Sequence, residues 1–180
     1  QLPPRGDQRL LDGILGALSL GTQVIAPRGC DLYRDEPVRE GELNWQLQDD
    51  TDAIIAVLGN TTELEGEEGD VALSDGGGDR TRIGLPGRQL ELLKFLRAKK
   101  RPLILVLMSG SAIDLSEAAL YADAILLAWY PGEQGGAAIA DAISGRGGFL
   151  PLRDYIEIAL YAPGLGYYAA GAHKLGPAGD

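Results

Sequence analysis

Apolar residues are concentrated in three short, nearly uninterrupted runs, at residues 53–58, 103–108 and 124–128. Each run consists of Ala, Ile, Val, Leu and Met, without the alternation that a half-exposed strand shows. Strands that are covered on both faces need this pattern, so the three runs predict buried strands. The segment from Thr22 to Ala26 is a weaker candidate for a fourth strand.

Helical periodicity lies between and around these runs. Gln8 to Leu18 and Arg88 to Ala98 each place leucines or isoleucines on one stripe, and Gly135 to Ile143 predicts a helix of small residues. Strands that alternate with helices are typical of a parallel sheet. The sequence therefore predicts an α/β fold over residues 1–145: a three-layer α/β/α sandwich with a mostly parallel sheet.

The stretch from Gly59 to Gly84 does not fit this alternation. It carries five carboxylates within the eight residues from Glu63 to Asp70. Ligands bind at the carboxyl ends of strands in open α/β sheets, and this segment directly follows the first predicted strand. Crowded carboxylates raise one another's pKa, which suits a general acid. A solvated acidic loop or a calcium-binding loop is the alternative, although the spacing of a calcium hand is absent.

Other candidate sites are weaker. The stretch from Gly76 to Arg80 lacks the Lys-Ser/Thr ending of a phosphate loop, and Ser109 to Ser111 lacks the Gly-x-Ser-x-Gly turn of a nucleophile. The only histidine, His173, predicts a surface residue, since a catalytic relay or metal would need partners. Cys30 is the only cysteine, so it cannot form an internal disulfide, and it predicts a buried side chain.

Composition narrows the partners further. The net charge of −10 argues against binding to duplex nucleic acid or to an anionic membrane surface. No apolar run approaches the roughly 18 residues of a membrane span. No signal peptide is visible in the first residues, since Gln1 to Asp12 is polar. A cytoplasmic and a periplasmic location both remain open.

A series of motifs resembles the C-terminal domain of family 3 glycoside hydrolases, over residues 1–145. The order and spacing of the motifs make this resemblance specific. The quoted motifs are Leu11 to Ile14, Gly29 to Asp31, Ile55 to Gly59, Glu63 to Asp70, Gly77 to Arg80, Ile83 to Gly87 with Gln89, Leu105 to Ser111, Asp123 to Leu126, and Ala128 to Gly136 with Ala140 and Asp141.

The resemblance implies a retaining β-glycosidase with two domains. An aspartate nucleophile would lie on a preceding (β/α)8-type barrel, while the α/β domain would supply the general acid/base from its acidic loop. Matching by position makes Glu63 the first choice for the acid/base and Glu65 the second. Four further residues are candidate substrate contacts, although Asp79 and Arg80 could instead form an ion pair that pins the loop: Glu67, Glu68, Asp79 and Arg80. No cofactor or metal is implied.

Two departures from the family qualify this interpretation. The chain contains no barrel, and hence no nucleophile. After Asp141 it gives Ser144-Gly-Arg-Gly-Gly-Phe-Leu-Pro151 where the family has Ser-Gly-Arg-Leu-Pro. The helical tail, residues 146–180, instead resembles the N-terminal segment of S-adenosylmethionine-dependent protein arginine methyltransferases, through Asp154 to Glu157, Ala159 to Tyr168 and Gly176 to Asp180. The chain would then be a junction of unrelated pieces.

Three functional hypotheses follow. The first is the acid/base half of an exo-acting β-glycosidase for β-linked glucosides or xylosides, inactive without its barrel. The second is a non-catalytic α/β module, structural or carbohydrate-binding. The third, which the tail alone supports, is a methyltransferase fragment.

Overall fold

The computed structural model describes residues 6–61, 64, 80–132 and 134–145. The chain divides into two compact units: Ile25–Trp129 forms one, and Gln1–Val24 with Tyr130–Asp180 forms the other. In chain order the helices and strands are α1 (Gly6–Ala17), α2 (Glu40–Gln46), β1 (Ile54–Gly59), α3 (Gln89–Arg97), β2 (Leu103–Met108), a 3-10 helix (Ala118–Leu120), β3 (Ala124–Leu127) and α4 (Gly135–Gly145).

The larger unit contains a parallel sheet in the order β1-β2-β3. The register runs from Ile54 opposite Leu103 to Gly59 opposite Met108, and β3 pairs with the other edge of β2. Parallel neighbours need crossover connections, and α3 lies in the connection between β1 and β2. The predicted α/β class with a parallel sheet is confirmed.

The core of this unit lies between the sheet and α3. Leu92, Leu93 and Leu96 form the apolar stripe of α3, and they belong to the same buried cluster as alternate residues of β1 and β2. Val106, which points to the opposite face of β2, is also fully buried. The central strand is thus covered on both faces, which explains its continuous apolar run. Burial of each Leu side chain contributes roughly 1.5–3 kcal/mol.

Two expectations from the apolar pattern need correction. The predicted fourth strand at Thr22 to Ala26 is wrong: these residues are not in a strand, and Val24 and Ile25 are exposed. A strand requires a hydrogen-bonded neighbour, and none of the described strands pairs with this segment. Conversely, α2 was not predicted, because only Leu43 of its seven residues is buried and one side chain makes no periodic stripe.

The described part of the smaller unit consists of α1 and α4, whose backbones approach closely. A Cβ atom added at Gly13 would lie 2.1 Å from the carbonyl carbon of Gly136. Ile139 of α4 is fully buried and Leu10 of α1 nearly so. The small-residue pattern of 135–143 predicted this helix as one able to pack close to a sheet, and in the structure its close contact is with α1. The predicted tail, residues 146–180, lies outside the described residues.

Candidate functional site

The carboxyl ends of the three parallel strands lie at one edge of the sheet. Asn60 follows β1, Ser109 follows β2 and Ala128 follows β3. The backbone N–H of Asn60 donates to the carbonyl of Met108 at 2.9 Å, and that of Ala128 donates to Leu107 at 2.8 Å. The ladder bonds thus continue just past the strand ends and fix Asn60 and Ala128 at the edge where α/β sheets bind ligands.

The end of β1 is fixed by the side chain of Gln89, at the first position of α3. The Gly59 N–H donates to Gln89 Oε1 at 2.7 Å, and Gln89 Nε2 donates to the Gly59 carbonyl at 2.7 Å and to the Leu32 carbonyl at 2.6 Å. Gln89 is fully buried. Its amide therefore forms hydrogen bonds with both the N–H and the carbonyl of Gly59, as a neighbouring strand would. Without these bonds the two backbone groups would be buried with no partner, which destabilises the fold.

Gly59 itself has to be glycine. Its φ is +144°, and a Cβ there would lie 1.7 Å from the Met108 carbonyl oxygen. Both the backbone conformation and the close approach of β2 exclude a side chain.

Residues 61–79, which include the five carboxylates from Glu63 to Asp70, follow this point and are called the acidic segment. The N–H of Leu64 donates to the carbonyl of Thr61 at 3.0 Å, in a tight turn two residues past the end of β1. Leu64 lies between Glu63 and Glu65 in the sequence. Both acid/base candidates are thus sequence neighbours of a described residue five positions after the end of β1.

The described chain resumes at Arg80, which is bound to the same edge. Its guanidinium donates to Ser111 Oγ at 3.0 Å, to the Ala112 carbonyl at 3.1 Å and to the Gly84 carbonyl at 3.0 Å. Ser111 Oγ also accepts from Asn60 Nδ2 at 3.4 Å. Residues from both ends of the acidic segment therefore meet at one hydroxyl after β2.

Of the predicted site residues, Arg80 is described and five lie outside the described residues: Glu63, Glu65, Glu67, Glu68 and Asp79. The structure adds three polar residues to the edge, namely Asn60, Ser111 and Gln89. Asn60 could have been identified as the first polar residue after a strand. Ser111 was considered only as part of a nucleophile turn and of a family motif, and Gln89 only as part of a family motif.

A second group of polar residues lies close to Cys30 in the sequence. Leu32, whose carbonyl accepts a hydrogen bond from Gln89, belongs to the same stretch. Hydrogen bonds from the Arg34 and Tyr33 backbone N–H groups, with the nearby Arg28 guanidinium, hold the pKa of Asp31 below its usual range. Burial, reinforced by the charge of Asp31, raises the pKa of the Cys30 thiol to about 11. At neutral pH this segment therefore holds a turn-stabilising carboxylate and a neutral thiol, which is buried as predicted. Neither the ionised Asp31 carboxylate nor the buried Cys30 thiol is therefore suited to donate a proton to a substrate.

Two negative findings concern the described part of the chain. No group of three or more His, Cys, Asp or Glu side chains there is arranged to hold a metal ion. None of the helices described has the length and apolarity to cross a membrane.

The sequence model of the glycosyl hydrolase family 3 C-terminal domain matches residues 40–153, more than half of the chain. The chain belongs to this family. The match ends beyond residue 145, where the sequence predicts the domain boundary, and that boundary and the methyltransferase-like tail both stay predictions.

Two curated relatives indicate the enzymes to which this family 3 domain is similar. A xylan 1,4-β-xylosidase of Xylanibacter ruminicola is 49% identical over 93 residues, which cover 51% of this chain and 11% of the relative. A periplasmic β-glucosidase of Salmonella typhimurium is 33% identical over 135 residues, or 74% of this chain and 16% of the relative. The chain thus spans about a sixth or less of the length of these relatives.

Solved structures agree with this assignment. A family 3 exo-β-xylosidase in complex with a xylobiose aziridine probe aligns with 76% of this chain and 16% of its own, with a TM-score of 0.61 and 28% identity. The β-glucosidase of Listeria innocua in complex with gluconolactone aligns with 68% of this chain and 15% of its own, with a TM-score of 0.54 and 26% identity.

Proposed function

We propose that this family 3 domain supplies the general acid/base of a retaining, exo-acting β-glycosidase. The observation that supports the proposal is the hydrogen bond from the N–H of Leu64 to the carbonyl of Thr61, in a turn that follows β1 at the carboxyl edge of the sheet. In the sequence Leu64 stands between the two acid/base candidates. The names of the relatives support the reaction and suggest β-linked xylosides or glucosides as substrates.

Retaining hydrolysis requires two carboxyl groups about 5 Å apart. In the proposed enzyme an aspartate of the barrel domain attacks the anomeric carbon, while Glu63 protonates the departing glycosidic oxygen. Glu63 then removes a proton from the water that hydrolyses the glycosyl-enzyme. Glu65 is the second candidate for this role. Glu67, Glu68 and Asp79 would contact the sugar, and the reaction needs no metal or cofactor.

The test is Glu63→Gln in an assembly of this chain with its barrel domain. A glutamine cannot donate the proton, so glycosides with poor leaving groups should be hydrolysed about 10²–10⁴-fold more slowly. Activated aryl glycosides leave without protonation, so their first step should slow much less. Azide should restore the second step, because a small anion needs no general base.

Glu65→Gln is the matched control, with the same change of charge two residues away. It should act mildly, through the local field or through sugar binding. If Glu65→Gln shows the leaving-group dependence and azide rescue while Glu63→Gln does not, the two roles are exchanged. If neither substitution shows them, and Glu67→Gln and Glu68→Gln do not either, the acidic segment does not supply the acid/base.

A further inference from the structure

We propose that Arg80 is a positioning residue for the acid/base carboxylate, acting by joining the two ends of the acidic segment to Ser111 at the end of β2. This inference rests on the function proposed above. It assigns to Arg80 a role in the geometry of catalysis in place of the sugar contact that the sequence suggested as one alternative.

The guanidinium of Arg80 donates hydrogen bonds to other parts of the protein. Three described contacts of its guanidinium, at 3.0–3.1 Å, are with protein oxygens on two different stretches of chain. Ser111 and Ala112 belong to the segment that follows β2, and Gly84 belongs to the segment leading toward α3. The planar guanidinium fork therefore holds these two stretches at a fixed separation, which a single ammonium group cannot reproduce.

Ser111 also contacts Asn60, the residue that precedes the acidic segment. Its hydroxyl oxygen lies 3.0 Å from the guanidinium of Arg80 and 3.4 Å from the side-chain nitrogen of Asn60. Asn60 follows β1, whose last residue is clamped by Gln89. Asn60 and Arg80, the described residues that flank this segment, thus meet at one hydroxyl. We call this contact of Asn60, Ser111 and Arg80 the stem.

The stem bears on catalysis through the position of the proton donor. A general acid acts only from within hydrogen-bond reach of the leaving oxygen, and a displacement of about 1 Å can cost on the order of 10²-fold in rate. Both acid/base candidates lie within the segment that the stem closes. Releasing one end of that segment should therefore misplace the proton donor while leaving the nucleophile, on another domain, in position.

The experiment compares Arg80→Lys, Ser111→Ala and the control Arg82→Lys in the assembly with the barrel domain. Arg82 is exposed and lies two residues along the chain, so it controls for the same chemical change. We expect Arg80→Lys to reduce kcat/KM for poor leaving groups up to about 100-fold. For activated aryl glycosides, whose first step needs no proton, kcat/KM should change much less, and azide should restore any loss in their kcat. Ser111→Ala should act in the same direction. Arg82→Lys should change neither substrate class.

The double variant Arg80→Lys/Ser111→Ala should be scarcely slower than the slower single variant, because the two residues act through one contact. A rise in KM with equal losses for both substrate classes would show a sugar contact and overturn the inference. Equal losses in kcat at unchanged KM would show a smaller folded fraction and would also overturn it. Ser111→Ala removes a single oxygen, so its result decides the question even if Arg80→Lys impairs folding.

The assembly itself separates this inference from the function on which it rests. An unaltered assembly without activity overturns the proposed function, and the inference with it. An active assembly in which Glu63→Gln or Glu65→Gln shows leaving-group dependence, while Arg80→Lys and Ser111→Ala do not, overturns the inference alone.

Discussion

Asp123 joins the end of α3 to the beginning of β2. Its carboxylate accepts the backbone N–H of Leu103 at 2.9 Å and the guanidinium of Arg97 at 2.7 Å. The hydrogen bond from Leu103, more than the one from Arg97, holds the pKa of Asp123 below its usual value. A carboxyl group with a lowered pKa in the folded state stabilises the fold above its unfolded pKa, and this contribution is lost as the pH falls through the folded pKa.

We therefore expect Asp123→Asn to lower the urea midpoint of unfolding at pH 7. The deficit should shrink as the pH drops below about 4, the usual range of an aspartate pKa. Below that pH the carboxyl group of the unfolded wild-type chain takes up a proton before the folded one does, so the contribution that Asn lacks is lost from the wild type as well. Asp50→Asn, at an exposed position, makes the same chemical change as a control. A deficit that stays constant from pH 7 to pH 3 would contradict the assignment, since it would show a loss of packing instead of charge.

Gln89 illustrates a residue whose role the sequence pattern could not reveal. Glutamine at the start of an amphipathic helix is normally exposed, yet Gln89 is fully buried. The reason is tertiary: the outer edge of β1 at Gly59 has no described strand beside it, and the amide of Gln89 supplies the missing donor and acceptor. Hydropathy along the chain reports where apolar groups are buried, but it does not report which backbone groups need a partner.

At the scale of elements, the three strands were predicted almost to the residue from their continuous apolar runs. Burial on both faces is confirmed for β2, but the prediction of a buried strand is wrong for β3, whose residues are half-buried or exposed. The structure gives Leu103–Met108 as predicted, and Ile54–Gly59 and Ala124–Leu127 with bounds shifted by one residue. The run at Thr22 to Ala26 was misleading, because Val24 and Ile25 make a local pattern without a partner strand. Local β-propensity is decided by such context.

The α1–α4 pair offers an internally controlled prediction, because α1 contains glycines in two different environments. A Cβ at Gly13 would lie within 2.1–2.6 Å of backbone atoms of Gly136 and Ala137, whereas a Cβ at Gly16 would meet nothing within 4 Å. We expect Gly13→Ala to separate the two helices and to lower the free energy of unfolding by about 1–3 kcal/mol, the usual cost of overpacking. Gly16→Ala should raise it by up to about 1 kcal/mol, through helix propensity alone.

Urea denaturation of the two variants, with helix content followed by circular dichroism, measures both effects. The two substitutions are chemically identical and three residues apart, so intrinsic propensity cancels in their difference. Equal stabilisation by both alanines would contradict the close approach of α1 and α4.

At the scale of the whole molecule, the family could be identified from the order of its motifs, and the match to residues 40–153 confirms it. The edge of the sheet followed from the same pattern, since the carboxyl ends of parallel strands must lie together. The stem could not be predicted, because Asn60, Arg80 and Ser111 are separated by 20 and more positions and meet only through the pairing of β1 with β2. No periodicity encodes such a contact.

The division of labour between two domains gives the last prediction. A proton donor contributes roughly 10²–10⁴-fold, but only to a bound sugar that a nucleophile can attack from the other side. The family resemblance places that nucleophile on a barrel, and the matched residues belong to the C-terminal domain.

We therefore expect the purified 180-residue chain to release no more aryl alcohol from aryl β-glucosides or β-xylosides than buffer does. Activated aryl glycosides make the test stringent, since they need no acid and would reveal any nucleophile present. Turnover well above buffer that follows the protein through purification would contradict the two-domain mechanism, and its loss in Glu63→Gln would place both catalytic steps within this chain.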